Sequence, residues 1–351
     1  MMYTIGIPKE IKANERRVSL TPNIVQELTS NMITVYVEKT AGHDAGFTDE
    51  DYLKCGAIIC HTAKELYANS NVIVKVKEPL DAEYELINEK HIIFSFFHFA
   101  SSTTLLKAMI ESKASCVAYE TIEASKDLPH QIFPILAPMS VIAGEQSMIN
   151  ANKYTIFDET VEVTVIGAGN VGRAAAYKAK ELGYKFINLI DKNFEKIKPM
   201  ESQGFKLYDM TDENLLNLLK KSKIIIGSIY NAGEKATKIL SNDVLDILQD
   251  GTIIMDVAID QGGMTDQSRP TTITDPLIAY KNVKIYCVPN IPSCVPNEAS
   301  CKLSEAVFPY LLHFLQSNDL EDAISKSEQF KSGLNVHKGQ IYHKSLLNML
   351  Q

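Results

Sequence analysis

The stretch Val161–Asp191 constrains this chain more than any other. An apolar, β-branched run, Val161–Ile166, has the composition of a buried parallel strand. It meets an alanine-rich helix, read from about Asn170 to Leu182, through Gly167, Gly169 and Gly172, spaced G-x-G-x-x-G. The first glycine permits a tight turn, the second lets a pyrophosphate approach the backbone, and the third lets helix and strand pack closely. The helix N-terminus then offers free N–H groups to phosphate. A second strand, Phe186–Ile190, ends in Asp191, 24 residues after Gly167, where an acid accepts hydrogen bonds from an adenosine ribose. Glycine turns also end strands for purely steric reasons. Here strand, helix, second strand and terminal acid all occur together, which favours a dinucleotide site. Asp191 would repel a 2′-phosphate, so NAD is expected rather than NADP.

A length of 351 residues fits two domains. A hydrophobic content of 45% and a charged content of 22% are those of an ordinary globular enzyme. The net charge of −8 argues against nucleic acid or an anionic membrane as partner. No apolar run reaches membrane-spanning length, and the N-terminus does not read as a signal peptide. The six cysteines form no C-x-x-C pair, so reduced thiols, no structural metal and a cytoplasmic location are expected.

Ahead of the glycine turn the chain alternates strand and helix without a second fingerprint. Strands are read at Thr4–Ile7, Ile33–Glu38, Asn71–Val76, His91–Phe97 and Ser115–Tyr119. Helices are expected to open at Thr21-Pro22, at Thr48, at Thr62 (with Glu65 completing a capping box) and at Ser101. Asp127–Pro138 is irregular, and a helix from about Met139 to Lys153 leads into the turn. Beyond Asp191, strands Lys223–Ile226, Thr252–Val257 and Val283–Cys287 complete one doubly wound sheet. A long apolar helix follows at Ala299–Gln316, and Gly333–Tyr342 reads as a surface hairpin. The tail is too short to be a domain and is expected to rejoin the first one. The fold class is therefore α/β with two domains. A central Rossmann domain, 131–296, is inserted in a discontinuous β/α substrate domain made of 1–130 and 297–351.

Four residues stand just beyond expected strand ends, where α/β folds hold their ligands. They are Arg17, Lys77, His98 and Asp260. Each has a plainer reading alone. Arg17, beside Arg16, fits a solvated charge; alternation places Lys75 and Lys77 on the same face, and one of the two fits a side chain snorkelling at the sheet edge. His98, among Phe96, Phe97 and Phe99, fits a core histidine; Asp260 fits a turn cap before Gly262-Gly263. Together, in a cleft between domains, they make chemical sense. The cations would hold a small carboxylate, the histidine would move protons, and the aspartate would orient water or stabilise a developing cation.

The chain resembles the alanine dehydrogenases and, more distantly, the first domain of proton-translocating nicotinamide nucleotide transhydrogenase. The likeness covers nearly the whole chain. It rests on IGIPKEIKANERRVSLTP (5–22), VKVKEPLDAEY (74–84), FFHFA (96–100), AYET (118–121), LAPMS (136–140), DVAIDQGG (256–263), RPTT (269–272) and GLN (333–335). Transhydrogenase-type domains lack the histidine and the VKVKEP stretch, and this chain has both. The resemblance implies that Arg17 and Lys77 bind the substrate carboxylate and carbonyl, and that His98 and Asp260 are the catalytic pair. It places Ser140, Asp191, Lys196, Ile229, Tyr230, Val257 and Asn290 against the cofactor, and it implies a homo-oligomer, often a hexamer.

The activity implied is reversible NAD-dependent deamination of L-alanine to pyruvate and ammonia. Two alternatives are an opine-type synthase, joining pyruvate to the amine of another amino acid, and a non-catalytic NAD-binding regulator. In the synthase reading Glu145 and Glu298 would hold the second amine. The chain also departs from its relatives. Met148–Glu162 lacks their glycine-rich segment, and Met210 stands where they carry a serine near the adenine.

Overall fold

The computed structural model describes residues 3–124, 133–229 and 236–349. The chain divides into two compact units, 1–139 with 293–351, and 140–292. In chain order, the first unit contributes β1 (Thr4–Ile7), β2 (Thr34–Glu38), β3 (Ile58–Cys60), β4 (Val72–Lys77), β5 (Ile92–Phe96) and β6 (Ser115–Ala118). The second holds β7 (Glu162–Ile166), β8 (Phe186–Asp191), β9 (Lys206–Asp209), β10 (Ser222–Gly227), β11 (Ile253–Asp256), β12 (Leu277–Tyr280) and β13 (Val283–Tyr286). The tail adds β14 (Leu334–His337) and β15 (Gln340–Ile341) to the first unit.

In the first unit the strand order is β15-β14-β6-β5-β4-β1-β2-β3. The strands β1 to β6 run parallel. The chain winds outward from β1 through β2 and β3, then crosses to β4 on the other side. The order therefore reverses between β1 and β4, and the loops leaving these two strands flank the crevice where such sheets bind ligands. Arg17 lies on the first loop and Lys77 ends β4. Burial of the apolar sheet face supplies the core: Ile73, Ile93, Phe97, Leu105, Leu106 and Met109 are all nearly inaccessible. Each such side chain contributes roughly 1.5–3 kcal/mol over its exposed state.

The second unit repeats the logic with the order β12-β13-β11-β10-β7-β8-β9. Its reversal falls between β7 and β10, so the glycine turn after β7 and the residues after β10 share one crevice. All its pairings are parallel except the edge pair β12–β13.

Several local expectations are revised. The hairpin at 333–342 is not a surface feature: β14 pairs antiparallel with β6, and Leu334, Asn335 and Val336 are buried. Glu65 does not close a box on Thr62; its carboxylate accepts from His61 N–H at 2.8 Å. The closed box is at Thr48, with Asp51. Thr21 occupies the N-cap of Pro22–Ser30 but its side chain accepts no cap bond; it donates to the Ser304 hydroxyl at 3.3 Å instead. The helix expected from Met139 starts at Leu136 and takes Pro138 into its first turn, where a proline costs no hydrogen bond. The long tail helix spans Pro296–Leu315 and carries Pro309 within it. Residues 127–132 of the irregular stretch Asp127–Pro138 lie outside the described residues.

Candidate active site

In the first unit Arg17 is buried, 3% exposed, against an equally enclosed Glu15. The guanidinium donates in a fork to both carboxylate oxygens, from Nε at 2.8 Å and Nη2 at 2.6 Å. Its Nη1 points at Met139 Sδ, 3.3 Å away. The plainer reading of Arg17 as a solvated charge is thus excluded. Its backbone is fixed as firmly. N–H groups of Arg16, Val18 and Thr21 donate to the hydroxyls of Ser293, Ser300 and Ser304 at 2.9, 2.9 and 3.0 Å. Ser300 and Ser304 stand four apart on the long tail helix and so share a face. The distant C-terminal segment thereby shapes the loop that presents Arg17.

At the end of β4 the register with β5 is irregular between Val74 and Lys77, which breaks the simple alternation. Lys75 is wholly buried and pairs with Glu83 at 2.7 Å and Glu10 at 3.6 Å, so it is an interior ion cluster rather than a snorkelling group. Glu10 also accepts the Val76 and Lys77 N–H groups at 2.6 and 3.4 Å. Burial pushes its carboxyl up to about 7, against the opposing pull of Lys75.

His98 follows β5 in a left-handed conformation, φ 48° and ψ 41°. Its ring stacks on Phe96, with centroids 6.0 Å apart and planes at 7°. It is exposed rather than a core residue. Desolvation by the surrounding protein lowers its pKa, followed by repulsion from Lys77, Lys12 and Arg17. Water screens part of this shift at an exposed ring; the direction leaves the imidazole neutral at pH 7. The same three repulsions place Arg17, Lys77 and His98 in one electrostatic neighbourhood.

In the second unit Gly167 adopts φ 88°, and a Cβ on it would lie 2.9 Å from Ile229 Cγ1. The two ends of the crevice therefore touch. A Cβ on Gly172 would fall 1.9 Å from the Gly167 carbonyl oxygen. At Gly169 nothing lies within 4 Å of that position, leaving room for a ligand to reach the backbone. Gly169 is the N-cap of helix Asn170–Glu181 and brings no capping side chain, so the helix N-terminus suits a phosphate. Asp191 accepts from Ala168 N–H at 2.7 Å and Asn193 N–H at 2.8 Å. Each carboxylate oxygen has a second lone pair to offer a ribose hydroxyl. These features fit a dinucleotide.

Among the other candidates of this unit, Ser140 is half-buried in the helix Leu136–Lys153, as is Val257 after β11. Lys196 is exposed, and its carbonyl accepts from Arg173 Nη2 at 2.8 Å. Met210 packs on the core that contains Ile190. Tyr230 lies outside the described residues. Asp260 is exposed on the short turn Val257–Gln261 and accepts from Asn290 N–H at 3.4 Å, joining the ends of β11 and β13. The Gly262 and Gly263 N–H groups are taken by the backbone carbonyls of Ile259 and Ala258. Glu298 pairs with Lys302 along its own helix at 2.9 Å. Glu145 lines a groove with Val141, Asn170 and Arg173.

Two doubly wound units, one with an open glycine turn at a helix N-terminus and one with cations near a histidine, fit the class of nicotinamide-dependent oxidoreductases. The description "alanine dehydrogenase/PNT" applies to both halves of the chain: residues 6–143 match that family's N-terminal domain and 153–344 its C-terminal domain. Alanine dehydrogenase of Halomonas elongata is 33% identical over 97% of this chain and 95% of its own. That of Methanococcus maripaludis is 34% identical over the same shares. A solved L-alanine dehydrogenase superposes with a TM-score of 0.91 at 30% identity, covering 99% of each chain. A transhydrogenase from Sinorhizobium meliloti shares the fold at a TM-score of 0.85 and 21% identity, over 97% of this chain and 99% of its own. The chain belongs to the alanine dehydrogenase/PNT family and is an amino-acid dehydrogenase.

Proposed function

We propose that this protein is an NAD-dependent alanine dehydrogenase, converting L-alanine and water to pyruvate and ammonia and running in either direction. The observation that carries the reading is His98, a neutral imidazole on a held turn with Lys77 and Arg17 about it. The unit of 1–139 and 293–351 is assigned to the substrate, and 140–292 to NAD. The glycine turn and Asp191 would hold the nicotinamide dinucleotide, whose chemistry would be to take up the hydride from Cα of the amino acid. His98 takes a proton from the water that adds to the resulting iminium carbon, and returns one to the departing amine. Lys77 polarises the carbonyl oxygen of the keto acid. Arg17, already forked onto Glu15, adds residual positive potential for the carboxylate rather than a free guanidinium. Asp260 is assigned to the amine and iminium cation, and Ser140, Lys196, Ile229, Tyr230, Val257 and Asn290 to cofactor contact. A cytoplasmic homo-oligomer completes the proposal.

The test is a panel of amine donors offered with pyruvate and NADH, followed by NADH absorbance. Oxidation with ammonia alone supports the proposal; oxidation only with a second amino acid overturns it.

A further inference from the structure

We propose that Glu120 is the positioning residue for His98, its carboxylate holding the backbone turn from which the imidazole projects. This rests on the acid/base role given to His98 above. A non-glycine residue with φ 48° needs neighbours that over-determine it. Glu120 Oε1 accepts from His98 N–H at 2.6 Å, and Oε2 from Phe97 N–H at 3.3 Å. From the other side Ser101 donates its N–H and its hydroxyl to the His98 carbonyl, at 2.9 and 2.8 Å. The sheet sets this up. In the parallel pair β5–β6, Ser95 lies opposite Ala118, so Glu120 and His98 leave neighbouring strand ends together.

The partners of Glu120 are backbone N–H groups, and among the described residues it makes no ion pair. The Glu78 carboxylate repels it. Burial raises its carboxyl to about 7. An ordinary turn would not need a half-buried carboxylate without an ion pair when an asparagine or serine can cap N–H groups. The left-handed residue being held here is the one that must aim its ring.

The test is a double-mutant cycle in the full-length protein. Glu120→Gln keeps the shape but turns an NH2 group toward one N–H donor. It should lower kcat by about a hundredfold, the scale of a misplaced catalytic group, with KM for NADH unchanged. In a His98→Ala background the same substitution should have no further effect, and Glu120→Asp should recover part of the loss. Equal losses in both backgrounds would overturn the proposal and leave Glu120 a purely structural cap. The rate of His98 modification by diethyl pyrocarbonate, read by peptide mass, separates the two claims. A changed rate in Glu120→Gln, with full kcat in His98→Ala, upholds the positioning and refutes the acid/base role. An unchanged rate refutes the positioning.

Discussion

Glu15 and Arg17 form a buried two-pronged ion pair across a single intervening residue, with Glu15 also accepting the Arg16 and Arg17 N–H groups at 3.1 and 2.9 Å. The arginine that the family motif marks as carboxylate-binding is thus already ion-paired before any substrate arrives. Removing the acid leaves a buried guanidinium without its carboxylate. Glu15→Ala should destabilise the first unit by about 3–5 kcal/mol, the usual cost of breaking a buried pair. Urea denaturation checks this. A loss below 1 kcal/mol, as for an exposed pair, would show that the guanidinium finds another partner.

The three glycines of the turn should separate by function. Gly172→Ala puts a methyl against the Gly167 carbonyl and should lower the melting temperature, because backbone cannot give way. Gly169→Ala meets open space and should leave the melting temperature nearly unchanged while weakening NADH binding. Thermal unfolding with and without NADH distinguishes them. Equal destabilisation by both would deny Gly169 a ligand role.

Asp191 should give a preference for NADH over NADPH of at least about tenfold, or 1.4 kcal/mol. Because its two oxygens also accept the Ala168 and Asn193 N–H groups, Asp191→Ala should loosen the turn as well, leaving two donors unmatched. Asp191→Asn keeps one accepting oxygen and is the cleaner probe of selectivity. Equal kcat/KM for the two cofactors in the unmutated protein would sink the assignment.

Lys12 ion-pairs with Glu78 and stands outside the proposed catalytic set, yet it helps hold the His98 pKa down. With a folded pKa below the unfolded value, the neutral ring is favoured in the native state. The stabilising effect is present above about pH 6.5 and is lost as pH falls below it. Lys12→Met should move the acid limb of kcat/KM for alanine upward toward the ordinary histidine value. A pH profile checks the shift, and an unmoved or lowered limb would show that another group sets it.

The sequence disclosed what depends on spacing along the chain. The glycine turn, Asp191 ending β8 and His98 following β5 were all readable, because period and punctuation report strand ends. The partners of those residues were not. Glu15 lies two positions from Arg17, but only the folded loop shows that it turns back upon it. Glu10 and Glu120 hold the backbone at Lys77 and His98 through bonds that no periodicity encodes. Ser300 and Ser304 reach a loop nearly 300 residues away in sequence. The short strands β3, β9 and β12 are not legible in the sequence, because Ile58–Cys60, Lys206–Asp209 and Leu277–Tyr280 sit at sheet edges and need no long apolar run. The hairpin at the tail reads as a surface feature for the converse reason: its turn and the strand at Ser115–Tyr119 are both legible, but their antiparallel pairing is not.

The most direct measurement of the central claim is kcat of His98→Ala at saturating alanine and NAD, beside its affinity for NADH. As general acid/base His98 should contribute on the order of a hundredfold to ten-thousandfold. The variant should lose that much in kcat and still bind NADH, whose glycine turn lies in the other unit. Near-normal kcat in a well-folded His98→Ala protein would contradict the account.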